Sequence, residues 1–321
     1  MWDIFLNIFL LIIGMLFLIK GADFFVDGSA SIARKLKIPS LVIGLTLVSM
    51  GTSAPEASVS ISSSIKGLSD ISLGNIIGSN IFNVLIVMGV SLLFIKISVS
   101  KQTMIFEFPF VILITGLLGL FCYVISPGTI SRIEGIILLV LFVGYLAFII
   151  IRALKNKEET EDLPKEIPVW KSIIFVVIGL AGVIFGGNWV VSSSSFIAKQ
   201  LGMSDALVGL TIVAIGTSLP ELVTSFVAAK KGENDIALGN VLGSNIFNIL
   251  FILGLSSTIL PMEIKENVLV DLIFCVAITI IVFLLCIKTK QLVRWNGIVF
   301  IVLYCLYFTY IILRNYNIIS F

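Results

Sequence analysis

The hexapeptide GTSAPE occupies residues 51–56, and a near copy, GTSLPE, occupies residues 216–221, at an offset of 165. At the same offset, ISLGNIIGSNIFNVL (71–85) returns as IALGNVLGSNIFNIL (236–250), with eleven of the fifteen residues identical. The alignment of these stretches needs no gap. Agreement of this length predicts an internal duplication, whose two copies should share one local structure.

The composition predicts a polytopic membrane protein. Of 321 residues, 58% are hydrophobic and only 12% are charged, about half the charged share of a soluble domain, and the mean hydropathy is +1.15. The net charge of +2 is spread without a basic cluster, so neither a nucleic acid nor a protein partner is indicated. The sequence contains no histidine, which removes the commonest proton relay and metal ligand.

Apolar stretches of roughly 20 residues, the length that crosses a bilayer as a helix, predict ten transmembrane spans. The first of them is interpreted as a span and not as a removed signal peptide, because no basic segment or cleavage site precedes it. The spans are placed at 4–26, 40–65, 71–95, 103–125, 130–152, 170–197, 205–229, 236–260, 267–287 and 295–314.

The positions of Lys and Arg predict the orientation of these spans in a cell membrane. With the N-terminus outside, fifteen basic residues fall on the inner connections and five on the outer ends. In membrane proteins, the cytoplasmic connections carry more Lys and Arg than the connections on the other side. Both termini are therefore expected outside, and the polar linker, residues 154–169, is expected in the cytoplasm.

The span count also predicts how the two copies are arranged. Five spans separate them, and an odd number inverts the second copy relative to the first. We therefore expect an all-α protein with a first five-helix repeat at 1–153 and an inverted second repeat at 170–321, their motif regions at 40–95 and 205–260. Inverted repeats are typical of secondary transporters, which bind substrate near the midplane where broken helices meet.

Each hexapeptide is predicted to break its helix at proline, since Pro55 and Pro220 lack an N–H and disfavour helical geometry in the preceding residue. Carbonyls about one turn upstream, near Ser49 and Gly51, should lose their helical partners and become available to a ligand, and Pro220 should act in the same way on Ala214. The side-chain oxygens beside the two breaks come from Thr52, Ser53 and Glu56 and from Thr217, Ser218 and Glu221.

The Asn-rich segments supply a second set of oxygens on one helix face, at i, i+4 spacing. Helix packing through small residues and asparagine is the alternative interpretation of these segments. Their pairing with a buried glutamate in both copies favours a binding site. Oxygen donors without imidazole or thiolate select Na⁺, Ca²⁺ or Mg²⁺, and a cation or a proton between the glutamates would make them tolerable in the membrane. The segments present Asn75, Ser79 and Asn83, and Asn240, Ser244 and Asn248.

In these motifs the chain resembles the cation/Ca²⁺ antiporter superfamily, particularly prokaryotic Na⁺/Ca²⁺ exchangers, over essentially its whole length. The resemblance implies exchange of Na⁺ for Ca²⁺ by alternating access, with spans one and six sliding over the other eight, and no cofactor beyond the transported ions. It also implies four cation sites in a diamond. Glu56 and Glu221 would hold the central Ca²⁺ and share in Na⁺ binding with Thr52 and Thr217. Flanking Na⁺ sites would use Ser53, Ser79, Ser218 and Ser244 with the carbonyls of Ser49 and Ala214.

One departure from the family pattern leaves the coupling ion open. Members often have Asp at the position of Asn248, whereas here Asn83 and Asn248 are both amides. Ca²⁺/H⁺ exchange, K⁺-dependent Na⁺/Ca²⁺ exchange and exchange of another divalent cation therefore remain alternatives. A cation channel is a more distant one, because channels usually arrange such ligands around an axis between symmetric subunits. An enzyme is not expected, since no histidine or nearby lysine could act as a base.

Overall fold

The computed structural model describes residues 2–155, 168–203, 212, 214–264 and 267–315, and within these ranges the chain is mostly helical. The predicted linker lies almost wholly outside the described residues, as does most of the start of the predicted seventh span.

The first half of the chain alternates α-helices with short π-helical turns. The π turns occupy Gly44–Val48, Asn83–Val87, Thr103–Glu107 and Phe121–Ile125. The α-helices and strands are α1 (Trp2–Leu36), α2 (Ser40–Ile43), α3 (Ser49–Thr52), α4 (Ala54–Ile65), α5 (Ser69–Phe82), α6 (Met88–Phe94), β1 (Ile97–Ser98), α7 (Phe108–Leu120), β2 (Thr129–Ile130) and α8 (Arg132–Lys155).

The second half follows the same order in its described part. A π-helical segment, Phe247–Leu253, continues the helix that carries the second Asn-rich motif. The elements are α9 (Val169–Gln200), α10 (Ala214–Gly216), α11 (Leu219–Lys230), α12 (Asn234–Ile246), α13 (Gly254–Ile259), β3 (Met262–Glu263), α14 (Asn267–Thr289), β4 (Gln291–Leu292) and α15 (Arg294–Asn315).

Eight helical stretches in the described residues are long and apolar enough to span a membrane, and they coincide with eight of the ten predicted spans. The second and seventh predicted spans contain the hexapeptides and are broken, so the structure is consistent with ten spans. In the two stretches bearing the Asn-rich motifs, Ser69–Phe94 and Asn234–Ile259, 78% and 94% of an apolar 18-residue segment is buried, whereas in the other six the share is at most 39%. Their polar residues are thereby shielded from lipid.

The chain forms two compact units, each built from parts of both repeats. The first unit contains Met1–Ser58 and Phe142–Phe247, and the second contains Val59–Leu141 and Asn248–Phe321. The predicted repeat boundaries describe the duplication in the sequence, and this division into units does not test them.

Within the first unit, the leading helices of the two repeats, α1 and α9, pack closely and antiparallel. Gly14 lies beside Gly186, whereas Gly28, further along α1, lies beside Ser172, which is earlier in α9. A Cβ on Gly21 would come 2.6 Å from the backbone N of Val183, and one on Gly186, the counterpart of Gly21, would come 2.5 Å from that of Leu18. Val183 and Leu18 are themselves counterparts. The contact is therefore two-fold symmetric, as inversion of one repeat relative to the other requires.

Within the second unit, two antiparallel strand pairs join loops from the two repeats. Ile97 pairs with Leu292 in β1–β4, and Thr129 pairs with Glu263 in β2–β3. Each strand has two residues, too short for hydrophobic alternation to reveal it in the sequence.

Candidate cation-binding site

The first hexapeptide breaks its helix at Ser53. Helix α3 ends at Thr52, and α4 begins at Ala54 after a backbone turn at Ser53 (φ −81°, ψ 11°). Pro55 then lies in the first turn of α4, where a missing N–H is tolerated. The Ser49 carbonyl was expected to lose its helical partner, and this expectation is wrong, because the Ser53 N–H donates to it at 3.0 Å. The oxygen keeps a second lone pair for another partner.

The second hexapeptide repeats this break with a tighter turn. Helix α10 ends at Gly216, and α11 begins at Leu219 with Pro220 in its first turn. Here the Ser218 N–H donates at 3.2 Å to Ile215, three residues back, and not four as in the first copy. Both hexapeptides thus place a serine at the turn and a glutamate in the first turn of the next helix.

Each of these serines binds the glutamate of the opposite hexapeptide. Ser53 Oγ donates to Glu221 Oε1 at 2.8 Å, and Ser218 Oγ donates to Glu56 Oε1 at 2.9 Å. All four residues belong to the first unit and are fully buried. Adding 165 to the residue numbers of one copy gives those of the other, so each of the two bonds is the counterpart of the other. These two equivalent bonds link the two carboxylates to the opposite hexapeptides.

One of the two carboxylates, that of Glu221, has an oxygen atom to spare. Glu221 Oε2 is buried without a hydrogen-bond partner among the described residues, and so is Ser244 Oγ. Ser244 follows Gly243, whose backbone packs against the Ser49 side chain, so helix α12 lies beside the first break. A buried charged oxygen without a partner is costly. A cation bound to these oxygens would remove that cost. The set of oxygen donors therefore fits a hard metal ion.

A second hydrogen-bond chain runs from Thr52 to helix α12. Thr52 Oγ1 donates to Asn240 Oδ1 at 3.0 Å, and Asn240 Nδ2 donates to Ser225 Oγ at 2.9 Å. In the second unit, Asn75 Nδ2 donates to Ser60 Oγ, also at 2.9 Å. Asn240 and Asn75 were predicted to line the site, whereas Ser225 and Ser60 were missed. The sequence does contain a pattern that could have indicated these two serines, because in both copies a serine lies 15 residues before the motif asparagine.

Nine of the twelve predicted ligands lie in the first unit, and the other three lie in the second. Asn248 Nδ2 donates to Asn80 Oδ1 at 2.9 Å within the second unit, and Asn83 begins a π turn there. The predicted ligands in the second unit are Ser79, Asn83 and Asn248, and all three are buried. Their part in ion binding stays a prediction. The predicted ligands in the first unit are Ser49, Thr52, Ser53, Glu56, Ala214, Thr217, Ser218, Glu221 and Ser244.

Three other acidic residues of the helices, Asp23, Asp27 and Asp271, have basic partners. Lys231 Nζ lies 2.8 Å from Asp27 Oδ1 and 3.4 Å from Asp23 Oδ1 in the first unit. Arg314 binds both oxygens of Asp271 in the second unit, at 3.1 and 3.0 Å. No group of three or more Asp, Glu, Cys or His side chains in the described ranges could hold a metal. The candidate site is therefore built on two carboxylates and neutral oxygens.

Fold and site together define a class of protein. Broken helices from two inverted copies, with paired buried carboxylates and hydroxyls, are the architecture of a secondary transporter for hard cations. The family model described as sodium/calcium exchanger protein matches residues 6–151 and 171–313. The chain belongs to this family, and the membership predicted from the two hexapeptides is confirmed.

Relatives and solved structures agree with that membership. The sodium/calcium exchanger MaX1 of Methanosarcina acetivorans is 32% identical over 93% of this chain and 96% of its own length. The inner membrane protein YrbG of Escherichia coli K12 is 38% identical over 79% of this chain and 80% of its own. A solved structure of the sodium-calcium exchanger NCX_Mj, soaked with zero Na⁺ and Ca²⁺, superposes with a TM-score of 0.83 at 33% identity, covering 94% of this chain and 98% of that one.

Proposed function

We propose that this protein is a secondary antiporter that exchanges Na⁺ for Ca²⁺ across the cell membrane. The observation that carries the proposal is the reciprocal pair of hydrogen bonds, Ser53 to Glu221 and Ser218 to Glu56, which gathers two buried carboxylates in one place. Family membership supports the choice of ions. The transported ions are substrates here, and no further cofactor is proposed.

The charge of the site explains why binding of the two ions is coupled. Two ionised carboxylates neutralise one Ca²⁺, and the same oxygens can instead serve Na⁺ ions. Because Glu56 and Glu221 cannot serve both sets fully at once, occupancy by one ion opposes occupancy by the other. A protein that changes its accessible side only when these charges are neutralised therefore exchanges the ions instead of leaking them.

The remaining predicted ligands complete the proposed ion sites. The hydroxyls of Thr52 and Thr217 join the central carboxylates, and Thr52 lies close enough to Glu221 to interact with it. Ser244, with its unpartnered hydroxyl, is proposed for a flanking Na⁺ site. The same role is proposed for Ser53, Ser79, Ser218 and the carbonyls of Ser49 and Ala214, with Asn83 and Asn248 completing the set.

We further propose that alternating access involves α1 and α9 moving as a pair. Their glycine-lined contact brings the two backbones together without intervening side chains, which supports joint movement. The excess of Lys and Arg on one side supports both termini outside and the linker, residues 154–169, in the cytoplasm. No catalytic reaction is proposed, in keeping with an exchanger family.

Proton-coupled Ca²⁺ exchange is the second candidate. It is favoured by one observation, the amides at both Asn83 and Asn248, which leave the two glutamates as the only predicted ligands with an ionisable group. A buried carboxylate can be neutralised by a proton as well as by a metal ion. K⁺ dependence and transport of another divalent cation are outcomes that the same experiment distinguishes.

The test is uptake of radioactive Ca²⁺ by proteoliposomes that contain the purified protein. Saturable uptake driven by an outward Na⁺ gradient, without K⁺, supports the proposal. Uptake driven by a pH gradient and indifferent to Na⁺ would replace Na⁺ by H⁺ as the coupling ion. Transport of Mg²⁺ alone would overturn the substrate, and non-saturating flux that needs no counter-ion would indicate a channel. Liposomes containing Glu56→Gln serve as the inactive control.

A further inference from the structure

The Thr52 hydroxyl has one proton to donate and lies between two neutral acceptors, with the Glu221 carboxylate also within reach. Asn240 Oδ1 is 3.0 Å away, and the Ser49 carbonyl is 3.3 Å away. Thr52 Oγ1 and the Ser49 carbonyl are both proposed cation ligands. A proton directed at Ser49 would occupy that carbonyl, whereas a proton directed at Asn240 leaves both oxygens with lone pairs for a cation.

The orientation of the Asn240 amide decides between the two acceptors. Its Nδ2 lies 2.9 Å from Ser225 Oγ and 3.4 Å from the backbone carbonyl of Glu221. A carbonyl can only accept, so the NH₂ end of the amide must face it, and Oδ1 is left facing Thr52. Because Oδ1 can only accept, Thr52 must donate to it.

We propose that Asn240 is a positioning residue for cation binding, which acts by drawing the Thr52 proton away from the site. The inference rests on the proposed function, since it assumes that Thr52 and Ser49 bind the transported ions. Asn240 is fully buried, and its bond to Ser225 recurs at the same length between Asn75 and Ser60. The bond that orients the amide is therefore present in both copies and is not an accident of one helix contact.

The proposal has a consequence for substitution. In Asn240→Ala, the Thr52 proton is left with the Ser49 carbonyl and the Glu221 carboxylate as acceptors, and either choice occupies an oxygen that is proposed to bind the cation. The Ca²⁺ concentration at half-maximal uptake should rise about tenfold, the effect of losing one good interaction with an ion, while the maximal rate changes less. Ser225→Ala should raise it by only about threefold, because the Glu221 carbonyl still orients the amide.

A double-mutant cycle separates this role from a merely structural one. Thr52→Val lacks the proton altogether, so Asn240→Ala should add almost nothing in that background. Thr52→Ser keeps the proton, so Asn240→Ala should again cost about tenfold there. If the separate losses from Thr52→Val and Asn240→Ala multiply in the double variant, Asn240 does not act through Thr52 and the proposal is overturned.

Two controls and a second measurement complete the experiment. Asn234→Ala, in the first turn of the same helix, and Thr115→Val, a buried threonine bonded to Val111 in its own helix at 2.8 Å, should leave the half-maximal Ca²⁺ concentration unchanged. The cycle is also measured as the stabilisation of purified protein by Ca²⁺ against heating, which requires no transport. If the unaltered protein shows no Na⁺-driven uptake, the proposed function alone would be overturned. Normal Ca²⁺ binding by Thr52→Val would overturn the inference alone.

Discussion

The two hexapeptide breaks match closely where they face each other and differ at their far ends. At the site, Ser53 binds Glu221 at 2.8 Å and Ser218 binds Glu56 at 2.9 Å, two bonds of nearly equal length. Beyond the second break, Lys231 pairs with two acidic residues of α1, and Glu233 Oε1 lies 2.8 Å from Arg34 Nη1.

The sequence of the first copy cannot repeat those ion pairs. The counterpart of Lys231 is Lys66, but Glu233 is replaced by Leu68, and the two acids of α1 are replaced in α9 by Asn188 and Ser192. A cation bound as proposed would place the same demand on both copies at the site, whereas the helix ends are outside the proposed site. Duplicated segments therefore stay alike where they share a ligand and diverge elsewhere.

The largest effect that tests this comparison is expected from the glutamates. Glu56→Gln and Glu221→Gln each keep the side-chain size but leave a divalent ion with one negative charge fewer in a buried site. Electrostatic terms there amount to several kcal/mol at an effective dielectric constant of about 20, so Ca²⁺ uptake should fall at least about a hundredfold in both. Uptake into proteoliposomes measures the loss.

Glu107→Gln is the matched control, because Glu107 is also buried but lies outside both hexapeptides. It should retain uptake. A glutamate variant of one copy that transported normally, while the other was inactive, would show that the symmetric bonds do not reflect a shared role.

A smaller and equal effect is expected from the two serines. Ser53→Ala and Ser218→Ala each remove one hydrogen bond to a carboxylate, which is worth about 1.5–3 kcal/mol. The apparent Ca²⁺ affinity should fall about tenfold or more in each, to a similar extent. Ser91→Ala, which removes a buried hydroxyl bonded to Val87 in its own helix, is the control. If the two variants lost Ca²⁺ affinity to different extents, the two serines would be equivalent in structure but not in their contribution to binding.

The smallest effect is expected at the helix ends. Lys231→Gln breaks ion pairs whose side chains are partly exposed, so the cost should be at most about 1 kcal/mol, lowering the thermal midpoint by roughly 2 °C at low salt and less at high salt. Lys66→Gln, in the copy without the acids, should not change the midpoint. Equal shifts for the two lysines would remove the asymmetry described above.

The sequence alone predicted the features that depend on single residues or on the repeated segments. The duplication, the helix breaks at Pro55 and Pro220, and eight long helices follow from local chemistry, and each appears in the described structure. The family was predicted from the same residues and is confirmed.

What the sequence did not predict depends on contacts between distant segments. That Ser53 binds the glutamate of the other copy, and that Asn240 uses Ser225, are decided by how the helices pack. The Ser49 carbonyl was misjudged because the N–H that Pro55 lacks would have bonded to Gly51, the other carbonyl in the prediction. Ser49 instead depends on Ser53, whose N–H is intact. The π turns and two-residue strands leave no periodic signal.

The α1–α9 contact has a further consequence for the history of the chain. A contact whose two sides are copies of one sequence is isologous, the kind that two identical subunits form about a two-fold axis. In such a dimer every substitution at the axis is felt twice, once from each subunit. Fusion into one chain makes each side independently mutable, yet Gly21 and its counterpart Gly186 both remain glycine, and so do Gly14 and Gly179. The single polypeptide thus contains a self-complementary contact of the kind that two copies of one helix would form in an antiparallel homodimer.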